Sequence, residues 1–422
     1  MRSPFEVNST TAPKYAVVGL LFLGMLVAYV DRVNLSVAAV PIMKQLAFSP
    51  PLMGTLLSAF FWTYALMQIP LGHAVDRMGF RSVYALSFLL WSLAAAGSGW
   101  AVSFTQILGC RLALGLGQAV CAPASLAYIQ KSFREDERGL PNGIYISGVI
   151  LGPAIGTFVG GMLLGRMGWQ SLFVLTGLGG CVWLLPWLLL APARLPDDSK
   201  LALAEGGPSL SSRYPWMSLF AHPTTWGITI GAFFYAYFWF FCLTWLPSYL
   251  VIAHGFSYQK MGAYMAVPLT GMALVATVSG RVADKLIAKG GDSLSVRKGF
   301  VCAGCVFGSS VLLIQVAHAP SLLLPILVLS VGGLGLASAN YWAITQLVAP
   351  SAIIGRAVGY QNMVCQLGGV AAAMLTGILL GPRQNFSSSI AVAGVSPLIT
   401  AAIILLLIRP VEPSHSVQRA TY

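Results

Sequence analysis

The sequence contains twelve long apolar runs, separated by short stretches that are rich in Pro, Gly and charged residues. A helix needs about 20 apolar residues to cross a membrane, and every run is close to that length or longer. This pattern predicts an all-α polytopic membrane protein, because such runs lack the alternation of membrane β-strands. The predicted helices cover residues 15–41, 52–76, 82–103, 105–130, 139–165, 168–191, 223–250, 258–284, 298–317, 320–347, 354–380 and 387–409.

The composition predicts the lipid bilayer as the main partner of the chain. Hydrophobic residues make up 57% of it and charged residues 9%, whereas a soluble domain has about 25% charged residues. The net charge of +12 is spread over many loops, so we expect no nucleic-acid partner. Cys302 and Cys305 have CxxC spacing, but they lie within an apolar run and have no histidine partner; the other cysteines and the five histidines show no metal-ligand spacing. We therefore predict no metal, no cofactor and no enzymatic activity.

Basic residues predict the orientation in the membrane. Of the 24 Lys and Arg residues, four fall in the loops of one side, two lie within spans, and the remaining eighteen belong to the other side and the tails. Basic residues are enriched in cytoplasmic loops. We therefore expect both termini in the cytoplasm and a location in a bacterial inner membrane, as a monomer.

An internal repeat divides the chain into two halves. The segment that follows the second predicted helix is echoed after the eighth, where Gly72 and Asp76 match Gly280 and Asp284 at an offset of 208 residues. The longest polar stretch lies between the sixth and seventh helices. We predict an N-terminal six-helix bundle over residues 1–191, a cytoplasmic linker over 192–222 and a C-terminal six-helix bundle over 223–422. Such pseudo-symmetric halves are typical of major facilitator transporters.

Three charges lie inside apolar runs: Asp31 and Arg32 in the first helix and Arg111 in the fourth. Each costs roughly 2.5–3.5 kcal/mol at membrane depth, so such residues are usually functional. Together they leave a local charge of +1 when Asp31 is ionised, which an anionic substrate would offset. Two alternatives remain: the first helix ends at Val30, which puts the pair among the headgroups, or Asp31 forms a structural ion pair with an arginine.

Polar side chains share helix faces with these charges. Tyr64 and Gln68 are four residues apart on the second helix, and Arg111 and Gln118 are seven apart on the fourth, so each pair shares a face. The second half has polar or amphipathic residues in its tenth and eleventh helices. These are Asn340, Tyr341, Trp342, Gln361 and Asn362.

Three segments resemble the anion:cation symporter family of the major facilitator superfamily. They are YVDRVNLSVAAVPIM, MGTLLSAFFWTYALMQIPLGHAVDRMGFR and LTWLPSYL, which begin at Tyr29, Met53 and Leu243. The family includes bacterial carriers for galactonate, glucarate, hexuronates, tartrate and phthalate. The resemblance implies alternating-access transport of a small organic anion, usually driven by protons.

The resemblance also implies roles for individual residues. Asp31 would carry the coupling proton, and Arg111 would organise the pocket. We predict a substrate site that consists of Tyr29, Arg32, Tyr64, Gln68, Arg111, Asn340, Trp342 and Asn362. We predict a latch of the outward-open state that consists of Gly72, Asp76, Arg77, Arg81, Arg134, Asp284 and Arg356.

The chain departs from the family at Gln118, where the fourth helix usually has a glutamate. Glutamine keeps the size and hydrogen bonding of that residue but cannot titrate. One proton would then accompany each anion through Asp31, which favours a monocarboxylate as substrate. Alternatively, the carrier is an uncoupled facilitator or exchanger.

Two other functions compete with anion symport. The fifth helix carries GVILGPAIGTFVGG, from Gly148 to Gly161, which resembles a pattern associated with proton-driven efflux antiporters. Small residues at this spacing also let helices approach closely in importers. A transporter-like receptor is the third hypothesis, although neither the tails nor the linker would fold into a signalling domain.

Overall fold

The computed structural model describes residues 11–134, 137–195, 223–316, 319–348, 354–381 and 384–408, and within these ranges it contains helices and no strands. The prediction of an all-helical fold is confirmed. The α-helices are α1 Thr11–Val37, α2 Ala39–Gln45, α3 Pro50–Met78, α4 Phe80–Ser98, α5 Phe104–Gln118, α6 Cys121–Ser132, α7 Gly139–Gly180, α8 Leu184–Leu190, α9 Pro223–Thr244, α10 Leu246–Ile252, α11 Tyr258–Ala288, α12 Ser293–Ser309, α13 Pro320–Leu327, α14 Gly335–Val348, α15 Ile354–Leu380 and α16 Ser387–Leu407.

Eleven helical stretches of the described chain are long and apolar enough to cross a membrane. One of them, Gly139–Leu190, has 52 residues and would measure about 78 Å as a single helix, more than twice the roughly 30 Å of a bilayer core. Its helical geometry breaks at Gly168, where φ is 81° and ψ is 171°. The stretch therefore supplies two spans, which gives the twelve that the sequence predicts.

Gly168→Ala should lower the stability of the purified protein. Essentially only glycine adopts the backbone conformation of Gly168, and the strain for another residue is about 1–3 kcal/mol. Thermal unfolding in detergent should show a lower midpoint. Gly179→Ala is the matched control, because Gly179 lies in helical backbone of α7 with open space around it; an equal loss in both variants would contradict the proposed break.

Several spans are interrupted close to polar residues. The fourth span is α5 followed by α6, and α5 ends at Gln118. The first span likewise continues from α1 into α2 after a break at Ala38. In the tenth span a π-helical turn, Val328–Gly332, lies between α13 and α14. Discontinuous helices are typical of transporter binding sites, because their free backbone groups can face a ligand or an ion.

The chain forms two compact units. Unit 1 consists of the described parts of Met1–Gly207, Phe240–Thr270 and Gly369–Ser389, and unit 2 consists of the described parts of the remaining chain. Unit 1 therefore includes the C-terminal end of α9, the N-terminal part of α11 and the C-terminal part of α15. Most of the predicted linker, residues 196–222, lies outside the described residues.

Glycines of α7 allow close packing against α1. A Cβ atom on Gly148 would lie 2.7 Å from the Phe22 carbonyl oxygen, and one on Gly152 would lie 2.5 Å from Tyr29 Cβ. Larger side chains would push the helices apart, which typically costs about 1–3 kcal/mol. The glycine-rich pattern of the fifth predicted helix thus holds the Tyr29–Arg32 segment of α1 in place.

Candidate functional site

The Arg32 side chain lies in an aromatic cage within unit 1. Its guanidinium carbon is 4.3 Å from the ring centroids of Tyr29 and Phe60 and 4.8 Å from that of Tyr64. Phe60 and Tyr64 are one turn apart on α3 and stack at 5.2 Å, while Tyr29 is one turn before Arg32 on α1. The faces of these rings carry partial negative charge and stabilise the cation, by about 2 kcal/mol or more where water is excluded.

Gln118 orients this guanidinium group. Its Oε1 accepts hydrogen bonds from Arg32 Nε at 3.3 Å and from Nη2 at 3.1 Å. Its Nε2 donates to the Ala28 carbonyl oxygen at 2.9 Å, so the amide itself is fixed between α5 and α1. The partner of Arg32 is therefore neutral, and the guanidinium charge is not cancelled by it.

Arg111 adds a second positive charge to the same unit. The side chain is buried, and its guanidinium carbon is 5.7 Å from the Phe60 ring centroid. Arg111 Nε and Nη1 have no hydrogen-bond partner among the described residues. A buried guanidinium group with unused donors is suited to bind a carboxylate, which accepts two parallel hydrogen bonds.

The Asp31 carboxyl group is fully buried, and neither of its oxygens has a hydrogen-bond partner in the described chain. The Thr176 hydroxyl group and the Arg111 guanidinium act on it electrostatically. Thr176 also accepts a hydrogen bond from Asn34 Nδ2 at 2.8 Å. Within the described residues the ion pair is Asp284–Arg297, so Asp31 does not pair with either arginine in this conformation.

A small cavity of unit 1 adjoins Arg32 and Arg111. It measures about 10 Å³, roughly the space of one water molecule. At its wall the Ser36 hydroxyl donates to the carbonyl oxygens of Leu243 at 2.6 Å and Thr244 at 2.9 Å. A ligand larger than a water molecule would fit only if this wall, formed by the end of α9, moved away from α1.

The predicted site residues of the second half lie in unit 2. Asn340 Nδ2 donates to the Leu336 carbonyl oxygen at 3.0 Å, and its Oδ1 accepts from Arg297 at 3.2 Å. Asn362 Oδ1 accepts from Gln366 Nε2 at 3.4 Å, and Trp342 is half-buried. Gln68 is half-buried in unit 1. The roles of these residues in binding stay predictions.

The predicted latch residues occupy helix ends. Asp76 and Arg77 are exposed at the end of α3, and Gly72 is half-buried one turn earlier. Arg81 Nη1 donates to the Leu188 carbonyl oxygen at 3.3 Å. Arg134 is exposed, and its backbone N–H donates to Glu137.

In the corresponding segment of unit 2, the carboxylate of Asp284 forms an ion pair with Arg297 at 2.8 Å. The Arg356 side chain lies outside the described residues. The latch function is therefore still a prediction.

Comparison with known proteins supports a transporter fold. A model described as the Major Facilitator Superfamily matches residues 21–373. The D-galactonate transporter of Escherichia coli O6:H1 is 28% identical over 430 residues, which cover 98% of this chain and 99% of that protein. The hexuronate transporter of Bacillus subtilis is 29% identical over 406 residues, which cover 94% and 95%.

Solved structures show the same architecture. A bacterial homologue of the human lysosomal transporter Spinster, in an inward-facing and unoccupied conformation, aligns with a TM-score of 0.80 at 20% identity, covering 96% of this chain and 100% of that one. The structure of the D-xylose-proton symporter aligns with a TM-score of 0.74 at 14% identity, covering 94% and 98%. These matches confirm the predicted fold.

Proposed function

Because the chain belongs to the major facilitator superfamily, we propose that it carries a small organic anion across the membrane by alternating access, in symport with protons. Family membership makes it a multi-pass membrane transporter rather than an enzyme. The names of its relatives, which include galactonate and hexuronate transporters, support an organic anion as substrate. We place it in a bacterial inner membrane as a monomer with cytoplasmic termini.

The observation that carries this proposal is the excess of buried positive charge in unit 1. Unit 1 contains two buried guanidinium groups and one buried carboxyl group, and Arg32 has a neutral amide as its hydrogen-bond partner. An arginine stays charged at any working pH, and its fork matches a carboxylate. A bound anion would therefore neutralise a site that is otherwise positive.

Asp31 is our candidate for the proton carrier. It is the only buried Asp or Glu among the described residues. We propose that a proton and the anion enter together, so that the anion compensates the added positive charge while the site is closed. Release of both on the other side would return Asp31 to its ionised state, which compensates part of the arginine charge.

The direct test is uptake of carboxylates by proteoliposomes, comparing wild type with Arg32→Lys. Lysine keeps the charge but loses the planar fork, and a hydrogen bond to a charged group contributes about 1.5–3 kcal/mol. The apparent affinity should fall roughly tenfold to a hundredfold. Arg166→Lys is the control, since Arg166 is exposed and belongs neither to the predicted site nor to the predicted latch. Unchanged uptake by the Arg32 variant would contradict direct recognition.

Gln118→Glu should make transport more dependent on acidity. The introduced carboxylate would lie where Oε1 now accepts from Arg32, and the ion pair would compete with substrate until the carboxylate is protonated. We expect the ratio of uptake at acidic to neutral pH to rise about tenfold. This corresponds to a loss of roughly 1.4 kcal/mol of substrate-binding free energy while the carboxylate is ionised. The exposed Gln130→Glu is the control. An unchanged ratio would show that Arg32 does not bind the substrate.

The glycine pattern that suggests efflux has a packing role here. The close approach of α7 to α1 at Gly148 and Gly152 accounts for these small residues, whichever way the substrate moves. The pattern is therefore no argument for efflux, and efflux of a cation is disfavoured by the two buried arginines.

A further inference from the structure

We infer, on the basis of the proposed anion transport, that the substrate is a monocarboxylate with an aromatic or aliphatic body rather than a polyhydroxylated sugar acid. The cavity beside the two arginines has few polar groups other than their guanidinium groups. Five of its nine lining residues are apolar. They are Val33, Leu57, Phe61, Phe240 and Leu243.

The two hydroxyl groups of the lining are already used as donors. Ser36 donates to the Leu243 and Thr244 carbonyl oxygens. Thr244 Oγ1 donates to the Phe240 carbonyl oxygen at 2.6 Å. Both hydroxyls can still accept a hydrogen bond, but neither has a proton left to donate. A sugar acid brings several hydroxyl groups, and most would lose their water partners here without replacement.

The apolar residues that line the cavity are suited to contact an aromatic ring of the substrate. Phe61 and Phe240 meet edge to face with 4.6 Å between centroids, and a Cβ atom on Gly369 would lie 3.0 Å and 2.8 Å from them. When the end of α9 moves away, the exposed faces of these rings need an apolar partner. An aromatic substrate provides one through stacked or edge-to-face contact.

The aromatic cage around Arg32 is also formed by rings rather than by hydrogen-bonding groups. It consists of the rings of Tyr29, Phe60 and Tyr64, which cover the guanidinium group without consuming its donors. The positive charge thus attracts the carboxylate, while the side chains around the guanidinium groups are mainly rings and aliphatic groups. A site that binds the carboxylate through a cation and surrounds the rest of the molecule with apolar side chains favours benzoate-like molecules over gluconate-like molecules of equal charge.

The test is calorimetric titration of the full-length protein in nanodiscs. The probes are benzoate and cyclohexanecarboxylate, gluconate and galactonate, and uncharged benzyl alcohol. We expect the first two to bind at least tenfold more tightly than the sugar acids and benzyl alcohol not to bind. Tighter binding of a sugar acid would overturn this inference and leave anion transport intact. If no carboxylate bound or entered proteoliposomes, the proposed function itself would be refuted.

A pair of variants on α3 tests the role of the lining. Leu57→Asn puts a polar amide into the cavity, whereas Leu66→Asn changes a residue that is 66% exposed on the same helix. The Leu57 variant should reduce the preference for benzoate over gluconate several-fold, and the Leu66 variant should leave it unchanged. If the Leu57→Asn variant does not fold, Leu57→Thr is measured in its place. An unchanged preference in a folded Leu57 variant would contradict the inference.

Discussion

Asp31→Asn should abolish proton-driven accumulation of substrate while exchange of substrate across the membrane continues. The asparagine keeps the size of the side chain but cannot bind or release a proton. The residue is fully buried on α1, next to the arginine that the aromatic rings surround. Removing its charge leaves the arginines able to bind an anion, so the binding step should survive and only the coupling should be lost.

The measurement compares two assays on the same proteoliposomes. Uptake driven by an imposed pH gradient should fall to the level of empty liposomes, while counterflow of labelled substrate should stay within a few-fold of wild type. Asp292→Asn is the control. Hydrogen bonds from Ser295 lower the pKa of the exposed Asp292 carboxyl group, so this group stays ionised near neutral pH and is not a proton carrier there. Asparagine can still cap α12 at this position. Accumulation against a gradient by the Asp31 variant would remove this residue from coupling.

The charged residues of the candidate site are evident from the sequence, but not all of their partners are. Buried charges stand out in an apolar run because their insertion is costly, so Asp31, Arg32 and Arg111 could be identified one by one. Tyr64 could be placed on a common face with Gln68 through helical spacing. These inferences depend only on local periodicity, which the primary structure contains.

The remaining features depend on contacts between distant segments. Phe60 resembles any other apolar residue of a membrane helix, yet it contacts both guanidinium groups. The bond from Arg32 to Gln118 joins residues that are 86 positions apart, and that from Asn34 to Thr176 joins residues 142 apart. Helix packing decides which of these polar groups meet. No spacing rule along a single helix predicts such pairs.

Gly54→Val should block the transport cycle because it keeps α3 and α15 apart. A Cβ atom on Gly54 would lie 2.7 Å from the Ala373 carbonyl oxygen, and one on Gly377 would lie 2.6 Å from that of Pro50. The contact between α3 and α15 is therefore at backbone distance and has no space for a side chain. Carbonyl oxygens of a helix cannot turn aside as a flexible side chain would, so the helices must separate.

Alternating access requires each side of the carrier to close in turn, and a carrier held open on one side binds substrate without delivering it. Uptake by the Gly54 variant should fall more than a hundredfold, while equilibrium binding of the substrate remains. Thr244 precedes Trp245, whose indole N–H donates to the Ala373 carbonyl oxygen of α15 at 2.9 Å. A cysteine introduced at Thr244 should therefore react faster with a membrane-impermeant maleimide in the Gly54 variant. Gly109→Val is the matched control, since open space surrounds Gly109. Normal uptake by the Gly54 variant would show that transport does not require α3 and α15 to approach this closely.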